Sequence, residues 1–206
     1  MVKRIILSMS CMVALAALTV VLPASAGGQG EEAKKRKSET FSALAYLPSG
    51  VGISRAGSGS TANVTININS YSPQAEIDSV KSALLSGGQD AAIKAMGKLK
   101  GKGRVSLVGH VGFFDLKLVA ERPSETGRIV IGITDRPIQF LEAYYSGRST
   151  DYKLGILEFS VKKDEKGREE GEGVLIYAGK VKVEGNKIEI ETYSAEPIKM
   201  MGVRKL

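Results

Sequence analysis

From Arg104 to the C-terminus the sequence is a succession of short apolar runs, separated by glycine, proline and charged turns about every ten residues. Apolar residues at alternate positions mark half-buried strands, because successive side chains of a strand point to opposite faces. Val64, Ile66 and Ile68 alternate with Thr65, Asn67 and Asn69 in the same way. Further strands are predicted over Arg104 to Gly109, over Phe114, Leu116, Leu118 and Ala120 on one face, and over Ile129, Ile131 and Ile133. Leu154 to Val161 and Gly173 to Val183 follow, joined by the charged tip Lys162 to Glu172. Glu184-Gly185-Asn186 reads as a hairpin turn into Lys187 to Tyr193, and Ile198 to Val203 closes the chain. Pro137 to Tyr145 fits either a helical turn or a bulged strand.

One stretch breaks this period. Ser72-Pro73 is a helix start, with serine as cap and proline at the first helical position. Ile77, Val80 and Leu84 recur at helical spacing until Gly87-Gly88 stops them, and Ala92, Ile93 and Met96 stripe a second short helix from Gln89. The fold class expected is α+β: a predominantly antiparallel sheet, as a sandwich or open barrel, with one helical hairpin inserted near residues 73–99. Nothing after about residue 40 reads as a linker, so residues 40–206 form one domain.

The N-terminus carries a different message. Lys3 and Arg4 precede a chargeless, mostly apolar stretch from Ile5 to Leu22, which Pro23 ends; Ala24-Ser25-Ala26 then offers a small-x-small cleavage pattern before Gly27. Residues 1–26 are therefore expected to be a signal peptide, and residues 27–39 a flexible charged linker containing the run Lys34 to Lys37. The expected location is outside the cytoplasm, periplasmic or extracellular, with no transmembrane segment once the signal is removed. Residues 1–26 hold two of the 29 Lys and Arg residues and none of the 22 Asp and Glu, so the remainder carries 27 basic against 22 acidic residues, a net of +5. That balance does not point to nucleic acid.

Chemistry is scarce. Cys11 is the only cysteine and lies in the apolar stretch, so the rest of the chain has no disulfide, thiol nucleophile or thiolate metal site. His110 is the only histidine, in Gly109-His110-Val111-Gly112 with Asp115 as the nearest carboxylate; no G-x-S-x-G elbow accompanies it, and a hydrogen bond within a turn accounts for it. Glu189 and Glu191 share a strand face about 7 Å apart, but Lys187 shares that face, which reads as the solvent side of a sheet. No catalytic residue, metal site or cofactor motif emerges.

Two segments remain as candidate contacts. The loop from Gly147 to Tyr152, preceded by two tyrosines, is the best candidate for recognition, with Tyr144, Tyr145, Arg148, Asp151 and Tyr152 as binding residues; an Arg148–Asp151 contact that fixes the loop is the plainer role. Lys98, Lys100, Lys102 and Arg104, interspersed with glycines, could meet an anionic surface, although Gly101-Lys102-Gly103 lacks the P-loop pattern. The expected function is an exported, non-enzymatic domain that binds a small ligand or an envelope component. Two alternatives stand beside it: a hydrolase or isomerase whose carboxylates and tyrosines only the fold assembles, and a structural protein of the cell envelope.

Overall fold

Alternation of side chains across the pleat builds more than half of the described structure. The computed structural model describes residues 38–47, 60–108, 112–138, 151–184, 187–192 and 197–206. Its elements are β1 (Glu39–Leu47), β2 (Ser60–Ile68), α1 (Gln74–Gly97), β3 (Gly103–Leu107), β4 (Phe114–Leu116), β5 (Leu118–Pro123), β6 (Arg128–Ile133), β7 (Leu154–Lys163), β8 (Glu169–Glu184), β9 (Lys187–Thr192) and β10 (Ile198–Lys205). The strands pair in the order β4-β3-β2-β1-β10-β8-β7-β6-β5, with β9 added to the end of β8. Every pairing is antiparallel.

The two ends of that path, β4 and β5, are parts of one chain segment separated by Lys117 alone. The sheet is thus nearly closed into a barrel, and a single sheet takes the place of the two stacked layers of a sandwich. At Lys117 the chain leaves β3 and takes up β6, with the Lys117 N–H donating to the Ile133 carbonyl at 2.8 Å. That change of partner also inserts a residue into the alternation. Leu116 belongs to the barrel interior and Leu118 to the outer, helix-covered core, so the two do not share the face that their spacing predicts.

The interior is filled by side chains, as in other small barrels. Phe41, Ile66, Val105, Leu116, Val130, Leu157, Phe159, Leu175, Ile198 and Met200 are essentially fully buried there. The Phe41 and Phe159 rings lie 4.9 Å apart at 58°. Small residues on neighbouring strands make room for them: a Cβ added to Gly173 would lie 2.5 Å from that of Phe159, its cross-strand partner.

α1 covers the outside of the barrel over β5 to β9. Its Val80, Leu84, Ala92 and Met96 pack with Leu118, Leu154, Ile156 and Ile176. The break expected at Gly87-Gly88 is there: α1 consists of two helical stretches that meet in a kink at Gly88, where φ is 69° and ψ −165°. Both stretches bury their stripes in the same core. Pro73 is the N-cap, and no side chain caps it. Ser72 is used elsewhere: its N–H donates to the Val119 carbonyl at 2.7 Å, and its Oγ accepts the Val119 N–H at 3.1 Å. It thereby stands in for a strand neighbour beside β5. Among the described residues no helix is long and apolar enough to cross a membrane.

The kink yields a direct expectation. Gly88 occupies a backbone region that only glycine enters readily, and nothing lies within 4 Å of where a Cβ would stand. Gly88→Ala should therefore cost about 1–3 kcal/mol through backbone strain alone, read as a lower urea midpoint with an unchanged denaturant slope. A neutral substitution would mean that the helix straightens at no expense.

Candidate functional site

Strand direction separates the barrel into two chemically different ends. β1, β3, β6 and β8 start at one end, where β2, β5, β7 and β10 finish. Inward-facing polar positions at that end come from five strands and one loop: Glu39, Glu121, Arg128, Glu169, Lys205 and Tyr71. Arg128 donates to both oxygens of Glu39 at 3.1 and 3.0 Å, and to both oxygens of Glu169 at 3.1 and 2.7 Å. It also reaches Glu121 and the Tyr71 hydroxyl, each at 3.0 Å. The Tyr71 hydroxyl donates to Glu39 at 2.6 Å, and the Lys205 ammonium meets the other Glu39 oxygen at 2.6 Å. The guanidinium lies 5.7 Å from the centre of the Phe41 ring, directly on the apolar core.

Charge in so enclosed a place persists only when paired. Burial opposes the ionised form of Glu39, but hydrogen bonds from Arg128, Lys205 and Tyr71, with the Arg128 charge, outweigh it and hold the carboxyl at about 2. Burial and the bond to Glu39 push the Tyr71 phenol upward, so it stays protonated. Burial works against the Arg128 charge as well, yet its bonds to Glu39 and Glu169 keep it more firmly protonated than a free arginine. Glu39 thus stays ionised and Tyr71 protonated across the neutral range, so neither exchanges a proton there. The network fills one end of the barrel with charges that carry their own counter-charges.

The opposite end is built differently. The strand ends that flank residues 48–59, 109–111, 139–150 and 193–196 all lie there. β8 runs past the barrel rim and pairs with β9 as a two-stranded extension. Val181, Val183 and Ile190 pack towards the helix-covered core. Alternation therefore places Lys180, Lys182, Glu189 and Glu191 on the other face, which continues the barrel lining. Asp151 pairs with Lys180 at 2.9 Å, and Glu191 with Lys182 at 2.7 Å. Tyr152 is buried and hydrogen-bonded to Glu191; burial first, then the Glu191 charge and that bond, raise its phenol. The bond from Lys182 outweighs burial and lowers the Glu191 carboxyl. Gln89 of α1 ties the corner together, donating to the Asp151 carbonyl at 2.7 Å and accepting the Val181 N–H at 2.8 Å.

The fold thus joins Asp151 and Tyr152 of the expected recognition loop to Lys180, Lys182, Glu191 and Gln89. Of these four, Glu191 figures in the sequence only beside Glu189 on a strand face, Lys180 and Lys182 only as charges at alternate strand positions, and Gln89 only as the start of a helical stretch. Tyr144, Tyr145 and Arg148 lie outside the described residues, as does His110, and the Asp151 carboxylate meets Lys180. The basic segment divides in three. Lys98 and Lys100 are exposed after α1. Lys102 is only 8% exposed, its ammonium 2.8 Å from Glu76, an internal carboxylate in place of an external anion. Arg104 lies on the outer face of β3, 5.4 Å from the Phe113 ring centre. Asp115 stands opposite Arg104 in the β3–β4 ladder, and Glu189 is exposed. Among the described residues no group of three His, Cys, Asp or Glu side chains is placed to hold a metal ion. No family model, curated protein or solved structure matches this chain.

Proposed function

We propose that this chain is an exported, non-catalytic binding domain that recognises a small polar ligand or an envelope component at the end of its barrel opposite the Arg128 network. The recognition surface comprises Asp151, Tyr152, Lys180, Lys182 and Glu191, together with Tyr144, Tyr145 and Arg148. The observation that carries this reading is the contrast between the two ends. One holds an ion network that contains its own counter-charges, while the strand ends flanking residues 48–59, 109–111, 139–150 and 193–196 lie at the other beside a polar extension. Loops on a rigid sheet are where recognition is usually built. Ion pairs at the extension hold its side chains in place, which suits binding more than proton transfer.

The test uses protein isolated from the envelope or medium, whose first residue should be Gly27. Assayed against ester, glycoside and phosphate reporters, it should show turnover no greater than buffer. Turnover that disappears in His110→Ala or Asp115→Ala protein would refute the non-catalytic reading. Recovery of protein that starts at Met1 from the cytosol would refute export.

A further inference from the structure

We infer that residues 134–138 are a fixed strap whose Ile138 completes the filling of the barrel, so that the ligand of the proposed site is polar, is held at the rim and does not enter the interior. Small barrels are filled by side chains, whereas larger ones enclose a ligand cavity. The residues at the mouth decide between the two. Val161, Phe159 and Leu157 point into the barrel from β7, and alternation continues that column to Gly155. The column therefore ends, far from the Arg128 network, in a residue with no side chain. A Cβ built on Gly155 would lie 2.6 Å from Cγ1 of Ile138 and 2.6 Å from the Thr134 hydroxyl oxygen. Ile138 lies beyond the end of β6, yet it is fully buried in the same cluster as Val130, Leu157 and Leu175. Its side chain takes the place that β7 leaves empty.

The strap is tied along its length. The Thr134 N–H donates to the Gly155 carbonyl at 2.9 Å, and the Thr134 hydroxyl accepts the Gly155 N–H at 2.8 Å while donating to the Arg136 carbonyl. Asp135 lies 3.7 Å from the Lys117 ammonium, and the Arg136 guanidinium stands 5.5 Å from the centre of the Phe114 ring on β4. Opposite Gly155 a bulge sets two residues of β8, Tyr177 and Ala178, against one of β7, and the Tyr177 carbonyl accepts the Ile138 N–H at 2.8 Å. Thr134 is fully buried, so loss of its hydroxyl would leave a backbone donor and a backbone acceptor without that partner. A segment pinned in this way is part of the fold, not a gate. What a ligand can reach is the rim, where Asp151 with Lys180 and Glu191 with Lys182 present charged, hydrogen-bonding groups. The ligand class rests on the reading that recognition takes place at this end, whereas the strap does not.

The test is fluorescence titration of the isolated protein with N-phenyl-1-naphthylamine, a neutral apolar probe. The parent should show no saturable rise. Gly155→Val puts a side chain where Ile138 sits, and Thr134→Val keeps the shape of the residue while removing its hydrogen bonds. Both should lower the melting temperature, and whichever still melts cooperatively should bind the probe at least ~10-fold more tightly than the parent. Leu84→Ala loosens the packing of α1 instead, and should lower the melting temperature without taking up the probe. Saturable uptake by the parent overturns the inference, as does Thr134→Val protein that melts like the parent. So does a cooperatively folded strap variant that excludes the probe, or equal uptake by Leu84→Ala. Reporter turnover or cytosolic protein would sink the rim reading and leave the strap standing. Uptake by the parent would sink the strap and leave the rim residues as candidates.

Discussion

Arg128→Met should lower folding stability by about 3–5 kcal/mol, the range seen when one partner of a buried ion pair is removed. The arginine side chain is 19% exposed and its partners Glu39, Glu121 and Glu169 are 11%, 23% and 13% exposed, so solvent screens this network far less than a surface pair. Without the guanidinium, three carboxylates would converge on one barrel end with Lys205 as the remaining cation of the network. Lys205 is itself 39% exposed, and Lys205→Met should cost under about 1 kcal/mol. Urea unfolding of the two variants beside the parent measures both values. An Arg128→Met variant within about 1 kcal/mol of the parent would show that the carboxylates escape to water.

The same network makes the stability depend on acid with a definite sign. The Glu39 carboxyl is held at about 2 against an ordinary 4.5, so the folded state favours the ionised form. Stability from this group is fully present above about pH 4.5 and is lost as the pH falls towards 2. In Arg128→Met the main cause of the depression is gone while burial still opposes the charge. That variant should lose less between pH 5 and pH 3 than the parent, and a parallel loss would place the acid sensitivity elsewhere.

The second large effect is expected at the centre of the barrel. Phe159→Ala should cost about 3–5 kcal/mol, because it removes a fully buried ring and the surrounding strands cannot close the space. Helices in a bundle can shift towards a cavity, whereas strands of a nearly closed barrel are tied by hydrogen bonds to neighbours on both sides. Phe41 then loses its ring partner at 4.9 Å, and it is also the surface on which Arg128 rests. A double-mutant cycle between Phe41→Ala and Phe159→Ala should give a coupling of about 0.5–1.5 kcal/mol. Simple additivity would mean that the two rings fill separate spaces.

Much of the strand content was legible because a period of two is a local property. Val64 to Ile68, Leu154 to Val161 and Ile198 to Val203 each announce a strand from their own residues, and the observed strands contain them. The helix was legible for the same reason, but its course past Gly88 was not. A glycine pair can end a helix or bend it, and the choice depended on the sheet that both halves cover. At Lys117 periodicity misled, since a bend and a change of strand partner leave no mark on hydrophobic spacing. The charged tip misled in the other direction. Its ends extend β7 and β8 because Lys162 and Lys163 face Glu170 and Glu169 across the ladder, which leaves a turn of 164–168 stabilised by Asp164.

Sequence alone settled the local periods: a β-rich chain with one helical insertion. Tertiary structure decided which charges meet. Glu39 ended a charged linker by composition, Arg128 opened an ordinary strand and Glu169 sat in a polar tip, yet they form one bidentate network. Likewise Asp151 found Lys180, and Lys102 found Glu76. Backbone pattern is written in neighbouring residues, whereas the burial and pairing of a charge depend on which strand ends a nearly closed sheet brings to the same rim.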